Sequence, residues 1–175
     1  TVADPAWQRI VHRLLRRITG AVDSAPVRVG ILGYGAIGHE HNTAIQLTEG
    51  LALAAVCDPN PLRIEAAREF APGLVGHARG EDLLADPDVD LVIVSTPPNT
   101  HAEWTLRALE AGKHVVVEKP FCITVAEADR QIAAARERGL MLAVYQNRRW
   151  DSDYLALKQV VRSGQLGEVF HYESF

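Results

Sequence analysis

The chain has 175 residues, 47% of them hydrophobic and 23% charged, with a formal net charge of -4. That composition fits a globular domain with a sizeable buried core, and the acidic balance excludes non-specific nucleic-acid binding. Two cysteines, Cys57 and Cys122, make no disulfide framework and suit a reducing compartment, so a cytoplasmic location is expected.

Residues 5–19 carry Trp7, Ile10, Val11, Leu14, Leu15 and Ile18 at helical spacing, with Arg9, His12, Arg13, Arg16 and Arg17 opposite. Asp4 suits the cap, Pro5 the first turn and Gly20 the end. The expectation is a helix that docks on its own domain or a sister subunit, followed by the linker "AVDSAP". No apolar run approaches the roughly 20 residues that span a bilayer, so no membrane partner is expected. From Val27 the chain alternates: strand-like runs stand at "VRVGIL", "LALAAVC", "GLVGH", "DLVIVS", "HVVVE", "LMLAVY" and "EVFHYES". Helical stretches separate most of them, and Thr100–Glu103 and Thr124–Glu127 have capping-box spacing, with Gly112 and Gly139 at the corresponding ends. This is the pattern of a doubly wound α/β fold around a parallel sheet. The domain organisation expected is 1–26 for the helix and linker, 27–164 for the α/β domain, and 165–175 for the start of a second domain. The run from 168 to 175 alternates like a first strand whose partners lie further on, so a longer protein is expected.

After the first strand, "GYGAIG" sets Gly33, Gly35 and Gly38 in the G-x-G-x-x-G spacing. The first permits a tight turn, the second lets a pyrophosphate approach the backbone, and the third lets helix and strand pack closely. The amides of Ala36 and Ile37 then open a helix whose N-terminus favours anions. Asp58 ends the second strand, 25 residues after Gly33, where a carboxylate accepts from the adenosine ribose diol and repels a 2′-phosphate. The alternative is that Asp58 only caps the turn with Pro59 and Asn60. NAD is the expected cofactor, and Arg63, able to reach a 2′-phosphate, keeps NADP open. In "STPPNTH" the prolines 97 and 98 hold the chain extended, turning Thr96 and Asn99 towards the middle of a dinucleotide, with His101 just inside the helix or serving only to start it. The seven histidines are scattered, and the nearest pair, His39 and His41, points apart on a helix, so no metal site is expected.

"KHVVVEKPF" ends three valines with a glutamate, a lysine and a proline. Together with "GYGAIG", "CDPNP", "STPPNTH", "ALEAGKHVVVEKP" and "YQNRRWDSDYLALKQVVRSGQLGEV", it resembles the glucose-fructose oxidoreductase and inositol dehydrogenase family over residues 27–175. The last of these blocks is most similar to the scyllo-inositol dehydrogenase branch. The resemblance implies a Rossmann dinucleotide-binding fold and an NAD(P)-dependent oxidoreductase acting on a polyol, sugar or related hydroxy compound. It implies that Lys119 lies beside the nicotinamide and hydrogen-bonds the reacting hydroxyl, where an ammonium stabilises the oxyanion or relays its proton. Glu118 then tunes Lys119 or contacts the nicotinamide ribose, and Pro120 fixes the turn. Asn147 is expected at the nicotinamide or substrate. Arg148 or Arg149 is expected at a polyol or acidic group, or else against a second domain. That second domain, an antiparallel sheet, supplies a further aspartate and histidine in the family, and the full-length form is expected to be a homo-oligomer. Cys122 reads as an inert cysteine. Two alternatives stay open: a dinucleotide-binding module without turnover, and a methyltransferase, against which the Glu-Lys-Pro turn argues.

Overall fold

The computed structural model describes residues 25–173. The amphipathic segment 5–19 and the last two residues of the 168–175 run lie outside the described residues. The chain divides into two units, one ending at Tyr145 and one beginning at Gln146.

In the first unit the apolar runs become β1 (Val27–Leu32), β2 (Leu51–Cys57), β3 (Val75–His77), β4 (Leu91–Val94), β5 (His114–Val117) and β6 (Leu142–Val144). They form one parallel sheet in the order β3-β2-β1-β4-β5-β6. The helices are α1 (Ala36–Gln46), α2 (Pro61–Phe70), α3 (Gly80–Ala85), α4 (His101–Glu110) and α5 (Val125–Glu137). The central strands are apolar at successive positions because both faces are covered. Val29, Ile31, Val92, Ile93, Val115 and Val116 are all fully buried. Each such side chain contributes about 1.5–3 kcal/mol. The strand order reverses direction between β1 and β4, and ligands of open α/β sheets bind at that point, beyond the carboxyl ends.

Local chemistry sets the helix ends. Asn60 accepts from the Leu62 amide with Pro61 in the first turn of α2. Thr124 and Glu127 form the expected reciprocal capping box on α5. The other expected box, Thr100–Glu103, is not formed. A short 3₁₀ turn, Pro98–Thr100, runs straight into α4, so Thr100 already has near-helical backbone. Its hydroxyl lies 2.7 Å from the Pro97 carbonyl and 2.8 Å from Thr96 Oγ1 instead. Gly112 and Gly139 end α4 and α5 with φ of 77° and 64°, the left-handed conformation that suits glycine.

The amino edge of the sheet is clamped by charge. On β1, the Arg28 guanidinium donates to both oxygens of Asp90, at 3.0 and 2.8 Å. Lys113, just before β5, donates to the carbonyls of Asp86 and Val89, both at 2.7 Å. Lys113 and Lys119 are separated by one strand, which puts the two lysines of "KHVVVEK" at opposite edges of the sheet.

The second unit holds a 3₁₀ turn, Asn147–Trp150, and α6 (Ser152–Arg162). The strand expected from residue 168 onward is absent among the described residues: 168–173 pair with no strand. Phe170 is 95% exposed there and Tyr172 is 65% exposed. Alternation qualifies a segment for one face of a sheet, but a strand forms only where a neighbour takes its amides and carbonyls.

Candidate functional site

The loops that leave β1, β2, β4 and β5 all lie at the carboxyl edge, and hydrogen bonds continue the sheet ladder into them. Gly33 N–H donates to the Cys57 carbonyl at 2.8 Å and Ser95 N–H to the Leu32 carbonyl at 2.9 Å. Glu118 N–H donates to the Val94 carbonyl, also at 2.9 Å. These bonds fix the glycine turn between the ends of β2 and β4, with the β5 turn one strand beyond. Adjacent strands lie about 4.8 Å apart, so the Asp58 and Glu118 ends are separated by about 14 Å with the glycine turn between them.

Each glycine of "GYGAIG" meets a different constraint. Gly33 has φ of 91°, and an added Cβ would fall 2.7 Å from the Ser95 carbonyl oxygen. At Gly38 the Cβ would fall 2.5 Å from the Gly33 carbonyl oxygen, whereas at Gly35 it would meet nothing within 4 Å. Close packing thus explains the outer pair, and open space marks the middle one. Gly35 caps α1 without a side-chain hydrogen bond, and the first turn holds no acidic residue. Ala36 and Ile37 are exposed there, so the helix start offers amides to an anion.

At the end of β2, Asp58 is only 2% exposed. Its Oδ2 accepts from the Tyr34 amide at 2.9 Å and from Arg63 Nη1 at 3.1 Å, and its Oδ1 from the Asn60 amide at 2.9 Å. A carboxylate has about four acceptor positions. As a ribose acceptor Asp58 would use the one left on Oδ1 or exchange out Arg63. The Arg63 side chain is 53% exposed and is the charged group that this end of the site turns outward. The neighbouring thiol of Cys57 is pushed up to about 12, by burial first and then by the charges of Asp58, Glu81 and Asp82; it is inert.

In the loop after β4, Thr96 is half-buried and Asn99 exposed on the 3₁₀ turn. His101 departs from its expected place at the cofactor. Its ring is 1% exposed, with Nδ1 2.7 Å from the Pro120 carbonyl and Nε2 2.8 Å from the Thr96 carbonyl. The physical reason is the α4 start, which turns residue 101 inward to the sheet. The ring ties the Thr96 loop to the Glu-Lys-Pro turn through backbone carbonyls.

At the end of β5 the Glu-Lys-Pro turn has a cis Lys119–Pro120 bond. Glu118 is buried and Lys119 is exposed: their side chains are 7% and 44% accessible. Glu118 Oε2 accepts from the Lys119 amide at 3.0 Å and lies 3.2 Å from Nζ. Burial alone would raise the Glu118 carboxyl. Hydrogen bonds from His41 and from the Lys119 amide and side chain outweigh it and hold the group down at about 2. Glu118 is therefore a carboxylate at every working pH, spent on its protein partners.

The structure brings Gly33, Gly35, Ala36, Ile37, Gly38, Asp58, Arg63, Thr96, Asn99, Glu118 and Lys119 to one edge of the first unit. Asn147 and Arg149 belong to the second unit, on its 3₁₀ turn, with Arg149 exposed and its amide donating to the Gln146 carbonyl. Sequence reasoning missed His41, whose Nε2 lies 2.9 Å from Glu118 Oε1. The available signal was a polar residue three past Gly38, on the helix face that also carries Ala44 and Ile45. Among the described residues no cluster of three His, Cys, Asp or Glu side chains could hold a metal ion, and no helix is long and apolar enough to cross a membrane.

A parallel sheet with this turn at its reversal point, an uncapped helix behind it and an acid after β2 defines a dinucleotide-binding domain. The chain belongs to the oxidoreductase family with an NAD-binding Rossmann fold, which matches residues 27–146. It is 40% identical over 149 residues to YdgJ, an uncharacterized oxidoreductase of Escherichia coli, covering 85% of this chain and 42% of that one. It is 36% identical over 148 residues to IolW of Bacillus subtilis, a scyllo-inositol 2-dehydrogenase (NADP(+)), covering 84% of this chain and 40% of that one. A crystal structure of a putative oxidoreductase from Klebsiella pneumoniae superposes with a TM-score of 0.78 at 41% identity, over 83% of this chain and 42% of that one. The chain thus spans about two fifths of the length of these relatives.

Proposed function

We propose that this chain is the cofactor-binding part of an NAD(P)-dependent oxidoreductase that oxidises a secondary hydroxyl of a polyol, sugar or related compound. The observation that carries this is Lys119: an exposed amine at the carboxyl edge, at the end of β5, held by a buried carboxylate on the same sheet edge as the open glycine turn. The bound nicotinamide supplies the hydride acceptor. The chain's own part is to seat the pyrophosphate on the Gly35–Gly38 amides and to present Lys119 to the hydroxyl. As an ammonium, Lys119 stabilises the oxyanion, and as an amine it takes the proton. The relationship to IolW supports an inositol-like polyol as the substrate class. Asn147 and Arg149 are proposed as substrate contacts from the second unit. The choice between NAD and NADP is assigned to the Asp58–Arg63 pair.

The deciding experiment is Lys119→Met in the complete protein. Turnover is expected to fall about a hundredfold or more, with cofactor affinity almost unchanged. Normal turnover on a substrate found by screening polyols would remove Lys119 from the chemistry. A second reading, cofactor binding without turnover, is favoured for the 175-residue chain itself because it spans two fifths of its relatives. Hydride transfer by the chain alone would exclude it.

A further inference from the structure

His41 sits on α1, one turn past Gly38, with its ring 1% exposed. Its place there depends on Gly38, where even a methyl group would collide with the Gly33 carbonyl. Glu118 and Tyr145 both lie against the ring. Glu118 Oε1 lies 2.9 Å from Nε2, and the Tyr145 ring packs edge-on with centroids 4.7 Å apart. The other oxygen of Glu118 holds Lys119 through both its amide and its Nζ. The three side chains therefore form a line that runs from a buried helix face, through a buried carboxylate, to an exposed amine.

We propose that His41 is a positioning residue for Lys119: by holding Glu118 Oε1 it aims Oε2 at the lysine and draws part of the carboxylate's charge away from it. This rests on the reading of Lys119 as the group that handles the substrate proton. A buried carboxylate shared between two donors gives each of them less than it would give one alone. With His41 removed, Glu118 turns its whole charge on the Lys119 ammonium, which keeps its proton more firmly and offers less free amine. With the Glu118 charge removed, the ammonium loses its support and more free amine is present. A histidine that merely fastened α1 to the sheet would change stability and leave the amine as it was.

The sequence contains three lysines, Lys113, Lys119 and Lys158, so the amine can be read directly. The chain is labelled with a trace of acetic anhydride at one fixed pH, and mass spectrometry gives the ratio of Lys119 to Lys158 acetylation. Glu118→Gln is expected to raise that ratio about threefold or more, and His41→Leu to lower it by a similar factor, the size being limited by the exposure of the ammonium. His41→Gln, which keeps a donor of similar reach, is expected to restore the wild-type ratio. Should the leucine variant fail to fold by circular dichroism, His41→Asn, polar but too short to reach Oε1, makes the same comparison. A wild-type ratio in the folded His41→Leu or His41→Asn variant overturns the proposal, as does a change of the same sign in Glu118→Gln and His41→Leu. Turnover plays no part in this measurement. Failure here leaves the role of Lys119 in hydride transfer standing, and normal turnover of Lys119→Met would remove that role without affecting the labelling.

Discussion

A single methyl group placed at Gly35 or at Gly38 separates cofactor binding from folding. Gly35 has φ of -83°, which any residue adopts, and its added Cβ meets nothing within 4 Å. Gly35→Ala exchanges one helix-capping residue for a poorer one, a cost of under about 1 kcal/mol. The same methyl enters the space through which a pyrophosphate reaches the amides of Ala36 and Ile37, so the Kd for NADH is expected to rise at least about tenfold, or about 1.4 kcal/mol. Gly38 is the opposite case. Its Cβ would lie 2.5 Å from the Gly33 carbonyl oxygen and 3.5 Å from Ile31 Cγ2, far inside the 3.3–3.6 Å of a close carbon–oxygen contact. Alanine gains about 1 kcal/mol in helix propensity, but the backbone must move, and overpacking of this kind costs about 1–3 kcal/mol or more. Gly38→Ala is therefore expected to melt several degrees below wild type, at about 2–4 °C per kcal/mol for a chain of this size. Thermal denaturation and NADH fluorescence titration of the two variants give both numbers. Wild-type NADH affinity in Gly35→Ala would refute the assigned path of the pyrophosphate, and an unchanged melting temperature in Gly38→Ala would refute the close helix–strand approach.

Two further predictions follow from charge. The Glu118 carboxyl lies at about 2 against an ordinary 4.5. Its contribution to stability is therefore present above about pH 4.5 and is lost as the pH falls from there towards 2. At about 1.36 kcal/mol per pH unit this amounts to at most about 3 kcal/mol. Urea denaturation at pH 6 and pH 3 should find Glu118→Gln less stable than wild type at the higher pH, with the gap reduced to about half or less at the lower. A constant gap would mean that the carboxylate is not what titrates. Arg63→Gln is expected to weaken NADPH binding about tenfold and NADH binding much less, since a guanidinium recognises a 2′-phosphate strongly. The reverse order would transfer the discrimination to Asp58.

The fold was legible because helices cover both faces of the sheet and leave apolar, β-branched runs of strand length, separated by helices with recognisable caps. The glycine turn was legible for a related reason: spacing alone encodes which glycine bends, which opens and which packs. Asp58 was legible from its place after β2, but its burial was not. Its burial depends on the Tyr34 and Asn60 amides folding over it, a property of two turns rather than of the residue. His41 was not legible, because its partner Glu118 is 77 positions away and only the packing of α1 on the sheet brings them together. The terminal run pairs with no strand among the described residues, because alternation describes a strand's faces and says nothing about its neighbours. His101 was legible as a helix-start residue, but its motif does not fix which way the ring turns, which left its place at the cofactor open.

The charged clamp at the amino edge has a consequence for how this domain tolerates change. Arg28, Asp90 and Lys113 fasten one end of β1, β4 and β5, while the glycine turn, Thr96 and Lys119 occupy the other end, about 20 Å away at roughly 3.3 Å per extended residue. The clamp thus serves stability at the end of the strands away from the chemistry, and variants there should report as altered abundance or melting temperature with the cofactor's affinity intact. At the near end, open positions such as Gly35, Arg63 and Lys119 should report as altered ligand response in a protein that still folds. Gly38 and Glu118 are packed there, and their variants should report in stability as well.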